Sequence, residues 1–294
     1  MPLGEHHIRL PPHSLARKSI RRRDTCPPRS SNPPCTTALI MANKRLIIVG
    51  IGGASCSGKT LLAKHIQRAL PTHSHILHQD DFAPREEDIP YSPKYGVRDW
   101  DDPSTAILWP AFRAALQHAR KTGELPPGHT GHDQLNTQAS VGIDPEVGRR
   151  WKEKFTQAAA EAAKRGEEIV WFIVDGFILY WDKEVVSQLD VNVFLRVPYD
   201  VLKQRREDRR TYHLHDGDVW TDPPQYFEHI VWPAYIKAHE HLFSDGDVDE
   251  GQVKPEENLL ALTPGDGEAE MTRAFEASCE AMIAALRAGK GRVM

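Results

Sequence analysis

The sequence predicts a doubly wound α/β domain, with five parallel strands in one sheet and helices on both faces. Three observations lead there. Short apolar runs alternate with longer amphipathic stretches through most of the 294 residues. The runs are nearly continuous in Val, Ile, Leu and Phe, as strands buried on both faces are. The first run ends in a glycine-rich segment that opens straight into a helical pattern.

Taken in order, the strand candidates are Arg45–Ile51, Ser74–His78, Ile169–Val174, Val191–Val197 and Asn258–Leu262, each bounded mostly by charged or turn residues. Between them, Lys59–Leu70 sets Leu62, Ile66, Ala69 and Leu70 on one helix face. Further helices are expected over Ser104–Arg120, Glu146–Arg165, Tyr199–Arg210, Gln225–Phe243 and Glu268–Ala288. Thr122–Pro145 is rich in Gly, Pro, His, Thr and Asn and reads as a surface insertion, while the acidic Ser244–Glu257 reads as a loop. No internal repeat is seen.

Charge separates the chain into two parts. Residues 1–40 carry seven Arg or Lys against Glu5 and Asp24, a net +5; with −4 for the whole chain, residues 41–294 carry −9. An acidic body argues against a nucleic-acid partner. The first 40 residues read as a disordered Pro/Arg-rich tail, and Met41, directly before the first strand, is an alternative candidate start. Pro11, Pro12, Pro27, Pro28, Pro33 and Pro34 count against an amphipathic targeting helix there. No apolar run approaches the roughly 18–20 residues of a membrane span. Cys26, Cys35, Cys56 and Cys279 show no paired spacing, so no disulfide framework or zinc site is expected. A reducing compartment follows: a cytoplasmic location, with a nuclear one also compatible. No protein partner is evident.

The segment GIGGASCSGKT, Gly50–Thr60, contains G-x-x-x-x-G-K-[ST] from Gly53 to Thr60, the P-loop. Gly53 and Gly58 permit backbone conformations that let successive N–H groups, including those around Ser55 and Ser57, surround phosphate oxygens. The following helix points its positive end at the same anion. Lys59 is expected on the β- and γ-phosphates and the Thr60 hydroxyl on Mg²⁺. The chain contains no D-x-x-G, and its one Asn-Lys pair, Asn43-Lys44, precedes the P-loop, which argues against a guanine-nucleotide switch.

A magnesium-nucleotide enzyme needs carboxylates beside the phosphates. Asp80 and Asp81 follow the second strand in HILHQDDF, and Asp175 closes the third in IVWFIVDGF. Strand carboxyl ends share the crevice with the P-loop. Asp175 is expected to hold Mg²⁺, and Asp80 to accept the proton of an attacking hydroxyl or share the metal. Arg205 and Arg209 are four apart on one helix face and could grip a phosphoryl group, although interleaved Asp200, Glu207 and Asp208 would equally make a salt-bridged surface helix. The segment from about 205 to 224 suits a lid. Two clusters read as decoys. His213–Asp216 lacks further ligand spacing. Asp245, Asp247, Asp249 and Glu256 mimic a calcium loop, but Glu250 stands where glycine is required.

With those residues in place, the chain resembles the nicotinamide riboside kinases, P-loop kinases related to the uridine kinases. The resemblance runs from about Lys44 to Phe243 through GIGGASCSGKT, HQDDF, DWDDP, VDGF, the RR-x-x-RR run Arg205–Arg210 and, most specifically, QYFEHIVWPAYIK. It implies a P-loop kinase fold and ATP-dependent phosphorylation of the ribose 5′-hydroxyl of nicotinamide riboside. It also implies that Lys59, Thr60 and Asp80 serve nucleotide, magnesium and proton transfer. Asp81 and Phe82 would form the substrate-binding turn, Trp100 and Asp101 would contact the nucleoside, and Arg205 and Arg209 the nucleotide. Asp175 stands where the family often has glutamate, and Ala83 where some members carry a second aromatic. A cationic nicotinamide ring suits an aromatic face such as Trp100 or Phe82 and the charge of Asp101. A pyrimidine nucleoside kinase, and a nucleotide-binding module without transfer activity, are the alternatives.

Overall fold

The first strand, β1 (Asn43–Gly53), runs through the middle of the sheet with Leu46–Gly53 all buried. The computed structural model describes residues 43–71, 74–131, 140–209, 211–213 and 219–294. The expected tail over residues 1–40, and Leu214–Asp216 of the histidine decoy, lie outside the described residues.

Along the chain β1 is followed by α1 (Lys59–Ala69), β2 (Ser74–His78), a short hairpin of β3 (Tyr91–Ser92) and β4 (Val97–Arg98), α2 (Trp109–Thr122) and α3 (Pro145–Lys164). Then come β5 (Glu167–Gly176), α4 (Lys183–Val186), β6 (Val191–Leu195), α5 (Tyr199–Arg209) and a second hairpin of β7 (Thr211–His213) and β8 (Val219–Thr221). The chain ends in α6 (Trp232–His239), β9 (Leu259–Leu262), α7 (Glu268–Arg287) and β10 (Arg292–Val293). The main sheet has the order β2-β5-β1-β6-β9, all parallel, as the apolar runs predict. A sixth strand, β10, adds antiparallel to β1 at Arg45 and Leu46.

Side chains alternate across the sheet because a strand repeats every two residues. Leu46 and Ile48 of β1 pack with Phe172, Phe194, Phe112 and Leu116 in one layer. Ile47, Val49 and Ile51 pack with Leu62, Ile66, Trp151, Phe155 and Phe275 in the other. These are the two helical layers of a doubly wound fold.

Two helices differ from expectation, both at prolines. The helix expected from Ser104 starts at Trp109, because the Pro110 ring would meet the carbonyl of Ala106 in a longer helix. The helix expected over Gln225–Phe243 breaks into a π-turn at Phe227–Val231, α6 and a 3₁₀ turn at Glu240–Leu242. Pro233 has no N–H to give the carbonyl of His229.

Candidate active site

β1 delivers the P-loop to the carboxyl end of the sheet. Gly53 has φ 144°, and a Cβ there would lie 2.5 Å from the carbonyl oxygen of Leu195, so the strand can turn only at glycine. Gly58, φ 92°, is the N-cap of α1, whose first turn carries no acidic residue to mask its positive end. Cys56 is also left-handed, φ 65°, and its carbonyl accepts a hydrogen bond from Arg205 Nη1 at 3.3 Å. Ser55 Oγ lies 3.9 Å from Cys56 Sγ. The Ser57 hydroxyl is buried and makes no hydrogen bond among the described residues, and Lys59 is buried beside it.

Strand register then sets the carboxylates. Ile51 of β1 and His78 of β2 both pair with Asp175 of β5, which brings the three strand ends level. Asp175 is buried; its Oδ1 lies 3.0 Å from His78 Nδ1, and its Oδ2 is buried without a hydrogen bond among the described residues. Burial pushes the Asp175 carboxyl up. The His78 contact, the charge of Lys59 and the nearby Thr60 hydroxyl outweigh it and hold the group below the ordinary aspartate range.

Asp80 stands on a 3₁₀ turn, Gln79–Phe82. Crowding by surrounding protein raises its carboxyl, Asp175 raises it further, and Lys59, His78 and Arg209 oppose the rise. Asp80 remains exposed to water, which moderates the rise. Lys59, Thr60, Asp80, Asp175 and Arg209 thus act on one another at one point, as the spacing of the motifs predicts.

The donor set can hold a magnesium ion. The Thr60 hydroxyl, the unpartnered Oδ2 of Asp175 and the Asp80 carboxylate are hard oxygen ligands, and Mg²⁺ takes few protein ligands, keeping water and phosphate oxygens for the rest. Among the described residues no group of three or more His, Cys, Asp or Glu could form an all-protein metal cage. In the calcium-like loop, Asp247 Oδ1 instead accepts the backbone N–H of Asp249 and Glu250, both at 3.1 Å.

Trp100 and Asp101 form a wall in which Asp101 faces the P-loop. A cavity of about 10 Å³, room for a single water, separates Ala54 and Ser55 from Asp101. The Trp100 ring leans on Trp220 at 5.9 Å, its backbone N–H donates to the Tyr226 hydroxyl at 3.1 Å, and its Nε1 is buried without a hydrogen bond among the described residues. Asp101 is 6% exposed, with Oδ2 likewise unpartnered. Burial pushes its carboxyl up to about 6; Arg206 works against the rise, while Asp222 and Asp99 add to it.

Sequence reasoning missed much of this wall's support. Arg206 Nη1 sits 3.8 Å from Asp101 Oδ1, while its Nε and Nη2 meet Asp222 at 2.5 and 3.1 Å. Trp220 Nε1 donates to the same Asp222 carboxylate at 2.8 Å. The i, i+4 rule favoured Arg205 and Arg209, and both do face the P-loop side: Arg205 reaches the Cys56 carbonyl and Asp266, and Arg209 acts on Asp80. Arg206 lies between them on the buried face. Its partner comes 16 residues later with no local signal.

Asp81 and Phe82 are less open than expected. The Asp81 side chain is 3% exposed, with His129 Nε2 3.2 Å from its Oδ2. The Phe82 ring lies between Phe112 at 5.0 Å and His129 at 5.8 Å.

No family model matches the chain. It is 36% identical over 205 residues to the nicotinamide riboside kinase of Schizosaccharomyces pombe, covering 70% of this chain and 84% of that protein. It is 32% identical over 243 residues to that of Eremothecium gossypii, covering 81% and 93%. Human nicotinamide riboside kinase 1 is 28% identical over 199 residues, covering 67% and 79%.

Proposed function

The chain belongs to the nicotinamide riboside kinase family, and from that premise we propose that it phosphorylates the ribose 5′-hydroxyl of nicotinamide riboside with ATP, forming nicotinamide mononucleotide for NAD salvage. The observation that most supports this reading is that the Lys59 charge reaches both Asp80 and Asp175 at the mouth of the glycine cradle.

In the reaction the 5′-oxygen forms a bond to the γ-phosphorus as the bond to the β,γ-bridging oxygen breaks, and ADP leaves. Backbone N–H groups of Gly53–Thr60, the Ser57 hydroxyl and Lys59 hold the triphosphate. Asp80 orients the 5′-hydroxyl and takes its proton. Thr60, Asp175 and Asp80 would hold Mg²⁺, which would supply positive charge beside the triphosphate. Arg205 and Arg209, on α5, face the developing charge on the transferring group. Trp100 offers the cationic nicotinamide ring an aromatic face, and Asp101 accepts from the ribose hydroxyls. The segment from about 205 to 224 acts as a lid over the donor.

The relatives favour neither the pyrimidine nucleoside kinase nor the module without transfer activity. A cytoplasmic location agrees with the unpaired spacing of the cysteines, of which Cys56 and Cys279 are free thiols. Among the described residues no helix is long and apolar enough to cross a membrane. The test is to incubate the protein with Mg-ATP and a nucleoside panel and to measure phosphorylated product. Nicotinamide mononucleotide is the expected main product. Uridine turned over with nicotinamide riboside ignored would overturn the reading.

A further inference from the structure

The segment Gln79–Phe82 that presents Asp80 is a single short 3₁₀ turn, closed at its end by a hydrogen bond from the Ala83 N–H to the Asp80 carbonyl at 3.2 Å. It therefore depends on its surroundings, and it is gripped from three sides. Underneath, Gln79 is fully buried; its Oε1 accepts from the Ile178 N–H at 3.1 Å, and Gly176 approaches so closely that a Cβ there would fall 2.5 Å from that oxygen. On the α2 side, the Phe82 carbonyl accepts from the Leu108 N–H at 2.8 Å, and its ring meets Phe112.

The third side comes from the segment that composition reads as a surface insertion. The chain leaves α2 at Gly123, left-handed with φ 74°, and comes back to the turn at His129. There the imidazole lies 5.8 Å from the Phe82 ring at 18°, an offset stack. Its Nε2 is 3.2 Å from Asp81 Oδ2, and the His129 side chain is 12% exposed. Gly131 follows against the same oxygen, where a Cβ would make ordinary contact at 3.5 Å. Ala83, next along the turn, has no ring to offer.

We propose that His129 is a positioning residue of the acceptor site, acting from the insertion through Phe82 and Asp81 to hold the turn that carries Asp80. The proposal deepens the kinase reading and rests on it. In-line attack tolerates little displacement of the group that orients the hydroxyl, so a single short 3₁₀ turn needs this outside support. These contacts of His129, to Phe82 and Asp81, lie outside the Gly53–Thr60 loop expected to hold ATP.

His129→Ala should lower kcat/KM for nicotinamide riboside about tenfold while KM for ATP stays within about twofold. His129→Phe, which keeps the ring face, should recover most of that loss. The double variant with Phe82→Ala should lose less than the product of the two single losses, because both act at one contact. Wild-type activity in His129→Ala, a parallel rise in KM for ATP, or fully additive losses would each overturn the proposal. An ATP-dependent rise in Tm confirms that a variant is folded, and His129→Gln replaces Ala if it is not. Amide exchange gives a readout independent of the acceptor: exchange at the Ala83 N–H should quicken about tenfold in His129→Ala. Unchanged exchange there sinks the idea even if the true acceptor is another nucleoside, whereas failure of the wild type on nicotinamide riboside sinks only the kinase reading.

Discussion

The donor cradle and the acceptor wall are built in different ways. The proposed cradle is eight consecutive residues, Gly53–Thr60, shaped by two left-handed glycines and the start of a helix, where main-chain N–H groups would meet the phosphates. The wall is made of side chains from three separate stretches: Trp100 and Asp101, Arg206, and Trp220 through Tyr226. The cradle is held by backbone geometry. The wall is held by a buried arginine shared between two carboxylates, at the cost of keeping Asp101 ionised out of water. A main-chain site is robust to its neighbours, while a side-chain site depends on each of them.

The sharpest way to break the comparison is at Asp80, where both halves meet. Asp80→Ala should reduce kcat by about 10³-fold, with the ATP-dependent rise in Tm retained; full activity would remove Asp80 from the chemistry. Gly53→Ala should damage the cradle alone. Its Cβ would lie 2.5 Å from the Leu195 carbonyl, so the ATP-dependent Tm shift should vanish and stability fall by about 3 kcal/mol in a denaturant titration.

Asp222→Ala should damage the wall alone. Arg206 would lose both hydrogen bonds to Asp222 and keep Asp101 at 3.8 Å and the Tyr226 ring at 5.7 Å. KM for nicotinamide riboside should rise about 30-fold with KM for ATP nearly unchanged, and stability should fall by about 3 kcal/mol. Equal changes in both KM values would mean that the two halves are one unit.

The smallest effect concerns pH. The Asp101 carboxyl is pushed from 3.8 up to about 6 by folding. The unfolded chain therefore releases this proton first. The group favours the folded state most below pH 3.8, loses that contribution between pH 4 and 6, and above pH 6 costs about 3 kcal/mol. Asp101→Asn, which cannot ionise, should raise Tm at pH 8 and have little effect on it at pH 4, while weakening acceptor binding at pH 8 and much less at pH 4. In the wild type, KM for the cationic riboside should climb as pH falls through 6, with KM for ATP much flatter. A variant less stable at pH 8 would show that the Asp101 charge supports the fold rather than burdening it.

Legibility in the sequence follows the same division. Ser74–His78 forms a strand over the predicted residues, and the other four predicted strands overlap those observed. β1, β5 and β6 are buried on both faces and so are written as unbroken apolar runs, while the edge strands β2 and β9 are mostly half-buried. Helix ends were legible except at Pro110 and Pro233, where a helical pattern continues across residues that cannot sustain the hydrogen bonds. That Lys59, Thr60, Asp80 and Asp175 lie together was legible because each is tied to the end of a strand or the start of a helix. Strand register alone then brings them together.

The amino-acid sequence by itself thus determined the element order, the parallel sheet and the phosphate cradle, because these rest on hydrophobic periodicity and glycine geometry within a few residues. Tertiary structure alone decided which arginine of the Arg205–Arg210 run turns inward, how far Asp101 is desolvated, and that an insertion returns His129 to the acceptor turn. Those are contacts between residues 16 to more than 100 apart in the chain, and their strength depends on burial that only the packed molecule creates.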